Sequence, residues 1–452
     1  MNRAQNEDTI VAIATAPGRA ALAIVRVSGA RAADIGRQAL DRFPSAPRHA
    51  TLARVLDAEG GPVDEVIAIH YQAPASFTGD DVVEVICHGG PVTAASVAAA
   101  FSARGARPAE PGEFTRRAVL NGKLDLIQAE AVGDLVDAES RPAQRAALEQ
   151  LDGGLSRRIT DLRRQVIEVE ALCAYDIDFP EEDDGPIPQA RILAASADVV
   201  ARIDALLASA PVGEVVRAGA VVVIAGAPNV GKSSLFNAML GRRRAIVTEI
   251  PGTTRDALEA MTEAQGWPVR LVDTAGLRDT DEIVERMGIE ISREYAELAD
   301  VVLVCGDSIE SLGEALAAVR ATARAPTVSV RTKADRVPQA ERTRANDVLW
   351  VSAESGEGLP AVAGAIAAAL SRSKGELSLD APLVTRERQR LALLRARDEL
   401  LRFREAWTTH SVPPVIAAVH LRDAARELEE LVGAIDVEDV LDRLFASFCV
   451  GK

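Results

Sequence analysis

The segment Gly226-Ala-Pro-Asn-Val-Gly231-Lys232-Ser233 has the spacing G-x-x-x-x-G-K-S. The β-branched run Val221–Ile224 precedes it and an amphipathic stretch, Ser233–Leu240, follows. That strand–loop–helix order is what a phosphate-cradling loop requires. Glycines let successive backbone N–H groups turn inward onto phosphate oxygens, and the positive end of the next helix adds to the pull. The Lys232 ammonium can reach terminal phosphates, and the Ser233 hydroxyl can ligate Mg2+. A purely structural glycine turn would need neither the flanking elements nor the Lys-Ser pair, so the stretch reads as a nucleotide site.

Four further stretches follow in the order a guanine-nucleotide domain needs. Gly252-Thr253-Thr254-Arg255-Asp256 offers hydroxyls for the metal and the γ-phosphate. Asp273-Thr274-Ala275-Gly276 follows the predicted strand Val269–Val272; its Asp can hold the metal's water and its Gly can sense the γ-phosphate. Thr332-Lys333-Ala334-Asp335 ends the predicted strand Thr327–Arg331, and its carboxylate can accept two hydrogen bonds from guanine's N–H edge, which adenine lacks. Ser352-Ala353 ends Val348–Val351 and can present backbone N–H to the guanine oxygen. Each stretch alone is weak; together, at successive strand ends, they specify GTP over ATP.

Two departures from the usual pattern bear on mechanism. Thr332 stands where the base-reading motif Asn-Lys-x-Asp has Asn; being shorter, it is expected to weaken the loop brace while Lys333 and Asp335 keep guanine selectivity. Leu277 stands where Ras-like enzymes carry a water-orienting glutamine. Asn229, three residues before Lys232, carries an oxygen that can help coordinate a monovalent cation in the electrostatic role of an arginine finger. Asp279, Asp281, Glu282 and Glu285 could each hold the water, and spacing does not choose among them.

The elements that must position these residues form a mixed chain. With 452 residues there is room for two to four domains. No apolar run reaches membrane-spanning length, and Met1–Asp8 lacks a signal-peptide core, so the chain reads as cytoplasmic and without a membrane partner. Cys87, Cys173, Cys305 and Cys449 have no paired metal spacing and read as reduced thiols. A net charge of -16 and 3% aromatic residues speak against this chain wrapping or stacking nucleic acid by itself. Of 51 Lys plus Arg, only Lys123, Lys232, Lys333, Lys374 and Lys452 are lysines. Positions that stay Lys are candidates for a compact ammonium, except Lys374, which sits in a Ser/Arg/Gly linker.

Before residue 120 the pattern is α/β: strands at Thr9–Thr15 and Ala21–Val27, a helix near Arg31–Asp41 that Ser28 can cap, and a hairpin of Leu52–Leu56 with Val63–Tyr71. A strand at Asp81–Cys87 and a helix at Pro91–Arg104 complete it. Arg26 and Glu84 sit inside apolar strands, and spacing alone reads them as solvent-facing charges on a one-sided sheet. Cys87 and His88, being adjacent on a strand, point to opposite faces and do not form a thiol–imidazole pair. Helical periodicity runs from Gly122 to about Pro211, with Pro142 opening one helix and the acidic Asp176–Gly185 a solvated loop. It returns at Leu383–Trp407 and Pro414–Phe445, so the helices flanking the nucleotide domain read as halves of one bundle.

These residues resemble the MnmE (TrmE) family of tRNA-modification GTPases over essentially the whole chain. The resemblance rests on GAPNVGKSSLFN, TEIPGTTRD and DTAGLRDTDEIVERMGIE, and outside the nucleotide domain on TIVAIATAPGRAALAIVRVSG, SFTGDDVVEVICHGGP, ARPAEPGEFTRRAVLNGKLDLIQAEAV and the terminal FASFCVGK. It implies an α/β plus all-α architecture: an N-terminal folate-binding and dimerising domain (1–120), a discontinuous helical domain (121–216 and 377–452) and an inserted Ras-like G domain (217–376).

The resemblance also implies a potassium-stimulated GTPase activated when two G domains of a homodimer meet. Asn229, Thr248, Ile250 and Thr253 would surround K+, and Ser233 and Thr254 would hold Mg2+. The implied GTP-binding set is Asn229, Val230, Gly231, Lys232, Ser233 and Ser234; Thr248, Glu249, Ile250, Pro251, Gly252, Thr253 and Thr254; Asp273, Thr274, Ala275 and Gly276; Thr332, Lys333, Ala334 and Asp335; and Ser352, Ala353 and Glu354. Glu285 would be the water-orienting acid, and Cys449 the cysteine linked to the modification reaction. Arg26, Glu84, Lys123 and Lys452 match positions that contact 5-formyltetrahydrofolate or a related tetrahydrofolate, which displaces the solvent-facing reading of the first two. The family works in a heterotetramer with the flavoprotein MnmG (GidA) to install an aminomethyl-type group on carbon 5 of the tRNA wobble uridine. Rival readings are a ribosome-maturation switch on the same G domain, and a folate-dependent one-carbon transferase that GTP only regulates.

Overall fold

Short β-branched runs punctuated by glycine and proline turns build a six-stranded sheet at the N-terminal end of the computed structural model. Its strands are β1 (Ile10–Ile13), β2 (Leu22–Ser28), β3 (Thr51–Leu56), β4 (Pro62–Tyr71), β5 (Val82–His88) and β6 (Arg107–Pro108). They lie in the order β3-β4-β5-β2-β1-β6, antiparallel except for β1 with β6. One face buries Val25, Val27, Val66, Val83 and Val85 with residues of α1 (Ala32–Ala39) and α2 (Pro91–Ser102). The opposite face carries the alternate residues, as the two-residue period demands. On it Leu52, Ile67, Ile86 and Ile24 lie side by side across β3, β4, β5 and β2, with Leu52 60% and Ile67 42% exposed.

The structure describes residues 8–178, 187–241, 258–273, 293–339, 342, 348–433, 448 and 450–451. Two compact units divide the chain: residues 1–133 with 429–452, and residues 134–428. Cys87 lies in the core and His88 is exposed on the other face, as alternation predicts. Ser28 does not cap α1. Its buried hydroxyl bonds that of Thr78 at 2.7 Å, and the N-cap position falls to Arg31, whose N–H donates to the Thr9 hydroxyl.

Helices follow: α3 (Glu113–Leu120), α4 (Leu126–Asp137), α5 (Arg141–Leu151), α6 (Gly154–Asp178) and α7 (Gln189–Ala218). Ser140 caps α5 by accepting the Ala143 N–H, and Pro142 occupies its first turn. Helical structure does not stop near Pro211, as the sequence pattern suggests; α7 runs on to Ala218. Proline forfeits a single backbone bond there, whereas Val212, Val215 and Val216 beyond it bury in the core of the second sheet. Helix α6 runs through Asp178, so residues 176–178 continue the helix and do not begin the expected loop; the rest of that acidic stretch to Gly185, and the helical pattern past Gly433, fall outside the described residues.

The second sheet consists of β7 (Ala220–Gly226), β8 (Leu258–Ala264), β9 (Trp267–Asp273), β10 (Val301–Gly306), β11 (Thr327–Arg331) and β12 (Val348–Trp350), ordered β12-β11-β10-β7-β9-β8. Only β8 is antiparallel to its neighbour. Buried on both faces, its central strands read as continuous apolar runs, VVVIA and VVLV. With α8 (Lys232–Leu240), α9 (Arg293–Leu298), α10 (Ile309–Thr322) and α11 (Leu359–Lys374) they make a parallel α/β domain. Lys374 is no linker residue: in the last turn of α11 its Nζ lies 2.7 Å from Asp300, which also accepts the Val221 N–H at the start of β7. Two long helices, α12 (Glu387–Thr409) and α13 (Pro414–Val432), follow. Among the described residues no helix is long and apolar enough to cross a membrane.

Candidate functional site

In an open parallel sheet, ligands bind beyond the carboxyl ends of the strands, and β7 ends at Gly226. A Cβ there would lie 2.3 Å from the Cys305 carbonyl oxygen on β10, so only glycine lets the loop leave the sheet at this point. Asn229 (φ 62°) and Gly231 (φ 102°) adopt left-handed backbone, folding the loop back before α8 begins at Lys232. The buried Lys232 ammonium donates to the carbonyls of Gly226 (2.9 Å) and Ala227 (3.1 Å). Val230 anchors the loop in the core, while Asn229, Ser233 and Ser234 are exposed. Asp273, fully buried, ends the neighbouring strand β9. Burial, with a smaller push from the Asp273 carboxylate and an opposing pull from the Lys232 ammonium, holds the Cys305 thiol up at about 12.

The next two strand ends carry the Thr332–Asp335 and Ser352–Ala353 stretches. Thr332 is buried, and its hydroxyl donates to the Val230 carbonyl of the P-loop; Gly306 O lies 3.2 Å away and accepts the Thr332 N–H at 3.0 Å. The brace expected to weaken on loss of the Asn amide is therefore made by a hydroxyl. Lys333, at a left-handed φ of 56°, donates from Nζ to Asn229 O (2.8 Å) and pairs with Asp307 (3.0 Å). Ala334 is buried in a 3-10 turn, Ala334–Arg336, and Asp335 is exposed on it. The Ser352 hydroxyl holds the Asp335 carboxyl below its ordinary value. The Ser352 N–H is itself committed to Glu357 O at 3.0 Å, so of the two N–H groups expected to face a base that of Ser352 is already used. Gly231, Thr332, Lys333, Asp335, Ala353 and Glu354 border a cavity of about 160 Å³.

Thr248, Glu249, Ile250, Pro251, Gly252, Thr253, Thr254, Thr274, Ala275, Gly276, Glu285, Cys449 and Lys452 lie outside the described residues. So do Leu277, Asp279, Asp281 and Glu282.

In the first unit Arg26 and Glu84 face each other in register on β2 and β5, joined at 2.8 Å. Their side chains are only 21% and 19% exposed, so the solvent-facing reading fails. The Arg26 guanidinium lies 5.5 Å from the Phe77 ring centroid and 5.6 Å from that of Phe114, and donates at 3.4 Å to Gly451 O near the C-terminus. Lys123 donates to Pro74 O at 3.1 Å, at the start of the loop that carries Phe77. Phe77, Phe114 and Tyr71 escaped the sequence reading. Burial raises the Tyr71 hydroxyl, as do the charge and hydrogen bond of Glu84. A second cluster also went unseen: Arg107 and the buried Arg117 share Asp8 and Glu113 through bonds of 2.6 to 2.9 Å.

A family model described as the GTP-binding protein TrmE N-terminus matches residues 9–123, and one described as the MnmE helical domain matches residues 126–449. The tRNA modification GTPase MnmE of Azoarcus sp. (strain BH72) is 43% identical over 98% of both chains. That of Aquifex aeolicus (strain VF5) is 39% identical over 98% of this chain and 100% of its own. Among solved structures, the G domain of the T. maritima FeoB iron transporter is 27% identical over 33% of this chain and 98% of its own, with a TM-score of 0.27.

Proposed function

The chain belongs to the MnmE family of tRNA modification GTPases, and from that premise we propose that it hydrolyses GTP to drive modification of carbon 5 of a tRNA wobble uridine. The observation that carries the reading is the convergence of the P-loop, Asp273, Thr332–Asp335 and Ser352–Ala353 on the carboxyl ends of one parallel sheet. Asp335, its carboxyl held below its ordinary value by the Ser352 hydroxyl, is the acceptor for guanine's N–H edge, and Ala353 supplies the donor for its oxygen.

An exposed serine hydroxyl in the first turn of α8 and a buried carboxylate at the end of β9 are hard oxygen donors that suit Mg2+. We assign Ser233 and Thr254 as its ligands, with Asp273 holding a water. Bound there, the ion would neutralise charge on the phosphates. The exposed Asn229, with Thr248, Ile250 and Thr253, is our K+ seat, and Glu285 our water-orienting acid. Val230, Gly231, Lys232, Ser234, Glu249, Pro251, Gly252, Thr274, Ala275, Gly276 and Glu354 complete the GTP contacts.

For the N-terminal unit we infer a tetrahydrofolate site at Arg26, Glu84, Lys123 and Lys452. A half-buried ion pair beside two aromatic rings offers a carboxylate acceptor and a flat face, which fits a pterin. The apolar row Leu52–Ile67–Ile86–Ile24, exposed at Leu52 and Ile67, supports a homodimer through this sheet. We assign residues 1–120 to that domain, 121–216 with 377–452 to the helical domain and 217–376 to the G domain. MnmG is the proposed flavoprotein partner, Cys449 the cysteine of the modification step, and the cytoplasm the site of action.

The test is mass spectrometry of wobble nucleosides from cells lacking the protein, beside a hydrolysis assay. Loss of the carbon-5 modification and slower hydrolysis when Na+ replaces K+ are expected. The Glu285→Ala variant should bind GTP yet lose hydrolysis and modification together. Unchanged nucleosides refute the tRNA role, and equal rates in the two salts refute the K+ seat.

A further inference from the structure

We propose that Arg342 is a positioning residue for guanine recognition, a clamp that fixes the two base-reading loops relative to each other. The proposal rests on Asp335 and Ala353 being the groups that face the base. Arg342 lies on neither loop, and its sequence neighbourhood, ERTRAND, carries no motif. Yet its side chain, 15% exposed, reaches both loops at once.

Toward the first loop, Nη2 donates to Ala334 O at 2.7 Å and Nε donates to Val337 O at 3.1 Å. These carbonyls bracket Asp335 in sequence, so the guanidinium holds the short 3-10 turn from both sides. Toward the second loop, Nη1 pairs with the Glu357 carboxylate. The Glu357 backbone carbonyl accepts the Ser352 N–H, the bond that leaves Ala353 as the free donor of its pair. The guanidinium also lies 5.9 Å from the ring centroid of Trp350, the last residue of β12 and two positions before Ser352.

One cation therefore sets the separation between the acceptor for guanine's N–H edge and the donor for its oxygen. Two rigid readers on opposite edges of a purine work only if their spacing is held. The geometry calls for arginine. A planar fork can serve two carbonyls, a carboxylate and an aromatic face together, whereas an ammonium offers three donors from a single point. The fold does not depend on the clamp. The loops stay joined by Ala334 N–H to Val351 O at 3.0 Å, and Ser352 N–H to Glu357 O at 3.0 Å closes the second loop on itself. Losing Arg342 should loosen the readers without removing either.

The experiment compares full-length parent, Arg342→Ala, Arg342→Lys, Glu357→Gln and Asp335→Ala. It measures release of a fluorescent GDP by stopped flow, KM and kcat for GTP, and inhibition by inorganic triphosphate. Arg342→Ala should release GDP about tenfold faster, a loss in line with removal of one charge-assisted network. KM should rise by a similar factor while kcat at saturating GTP stays unchanged. Inhibition by triphosphate, which engages the P-loop alone, should not change; a general loss of fold would shift it. Arg342→Lys should recover part of the loss, and Glu357→Gln, which keeps the shape of the partner, should show a smaller loss in the same direction. Should Arg342→Ala fail to fold, Arg342→Lys and Glu357→Gln carry the test. GDP release at the parent rate in Arg342→Ala or, failing that, in both other clamp variants overturns the clamp. So does a fall in kcat or weaker triphosphate inhibition. Parent-like release from Asp335→Ala overturns the base-site reading itself.

Discussion

Replacing Thr332 by valine removes one oxygen from the junction of the P-loop and the Thr332–Asp335 stretch and almost nothing else. Threonine and valine have the same shape, and the site is buried, so the change isolates the hydroxyl. In the parent that hydroxyl donates to the Val230 carbonyl. Gly306 O keeps the Thr332 backbone N–H at 3.0 Å whichever residue is present, so the loss concentrates on Val230. A neutral hydrogen bond contributes about 1 kcal/mol net, but an acceptor stripped of its partner and kept from water costs about 1–3 kcal/mol. The second figure governs, because valine fills the space that water would need. Val230 lies between Asn229 and Gly231, and part of the cost should surface as weaker nucleotide affinity, the rest as lower stability. Calorimetric GDP titration and urea unfolding together read both. Thr332→Ser keeps the oxygen and loses only a methyl, about 0.8 kcal/mol if fully buried. It should stay close to the parent in GDP affinity. Valine and serine variants that match in GDP affinity and unfolding midpoint would refute the brace.

Acid should unfold the N-terminal unit through the Asp8–Arg107–Glu113–Arg117 cluster. Burial pushes the Glu113 carboxyl up, but bonds from Arg107, the Glu110 N–H and Arg117 outweigh it and hold it below 4.5; Asp8 is likewise held below 3.8 by Arg107 and Arg117. A depressed carboxyl stabilises the fold above its unfolded value, and that contribution is lost as pH falls through the folded one. Glu113→Gln should therefore be less stable at neutral pH and lose less stability on acidification below 4.5; a parallel loss in both proteins on acid titration would contradict this. Burial also raises the thiols of Cys87 and Cys305, the latter to about 12. Iodoacetamide near pH 8 should leave both unmodified in the native protein while urea exposes them. Peptide mass spectrometry checks it, and rapid native labelling of Cys305 would contradict its burial.

What could be read before the fold was known is what chain neighbours decide. The P-loop spacing, the two-residue alternation that separates Cys87 from His88, and the Ser140–Pro142 start of α5 each depend on residues a few positions apart. What could not be read depends on distant partners. Ser28 has the right type and place to cap α1, but a hydroxyl 50 residues away takes it. Arg26 looked like a surface charge because Phe77, Phe114 and Gly451 are invisible from its own strand. Arg117 is held by Asp8, 109 residues back, and nothing local to either signals the pair.

Lysine scarcity lies between these cases, since it is a property of the whole chain that points to single sites. It holds for all four lysines whose contacts are described. Lys123 donates to a loop carbonyl, Lys232 to two carbonyls of its own P-loop, and Lys333 to a P-loop carbonyl and to the Asp307 carboxylate just after β10. Lys374, which its linker-like surroundings had discounted, pairs with the carboxylate that also caps the start of β7. In each case the ammonium meets its oxygen partners end-on, a task for which a planar fork has no advantage. Arg342 has the converse need, with two carbonyls and a carboxylate spread around one group beside an aromatic face. At these five positions the type of cation matches the geometry of the oxygens it serves. Composition thus pointed to Lys374 more truly than its immediate neighbours did.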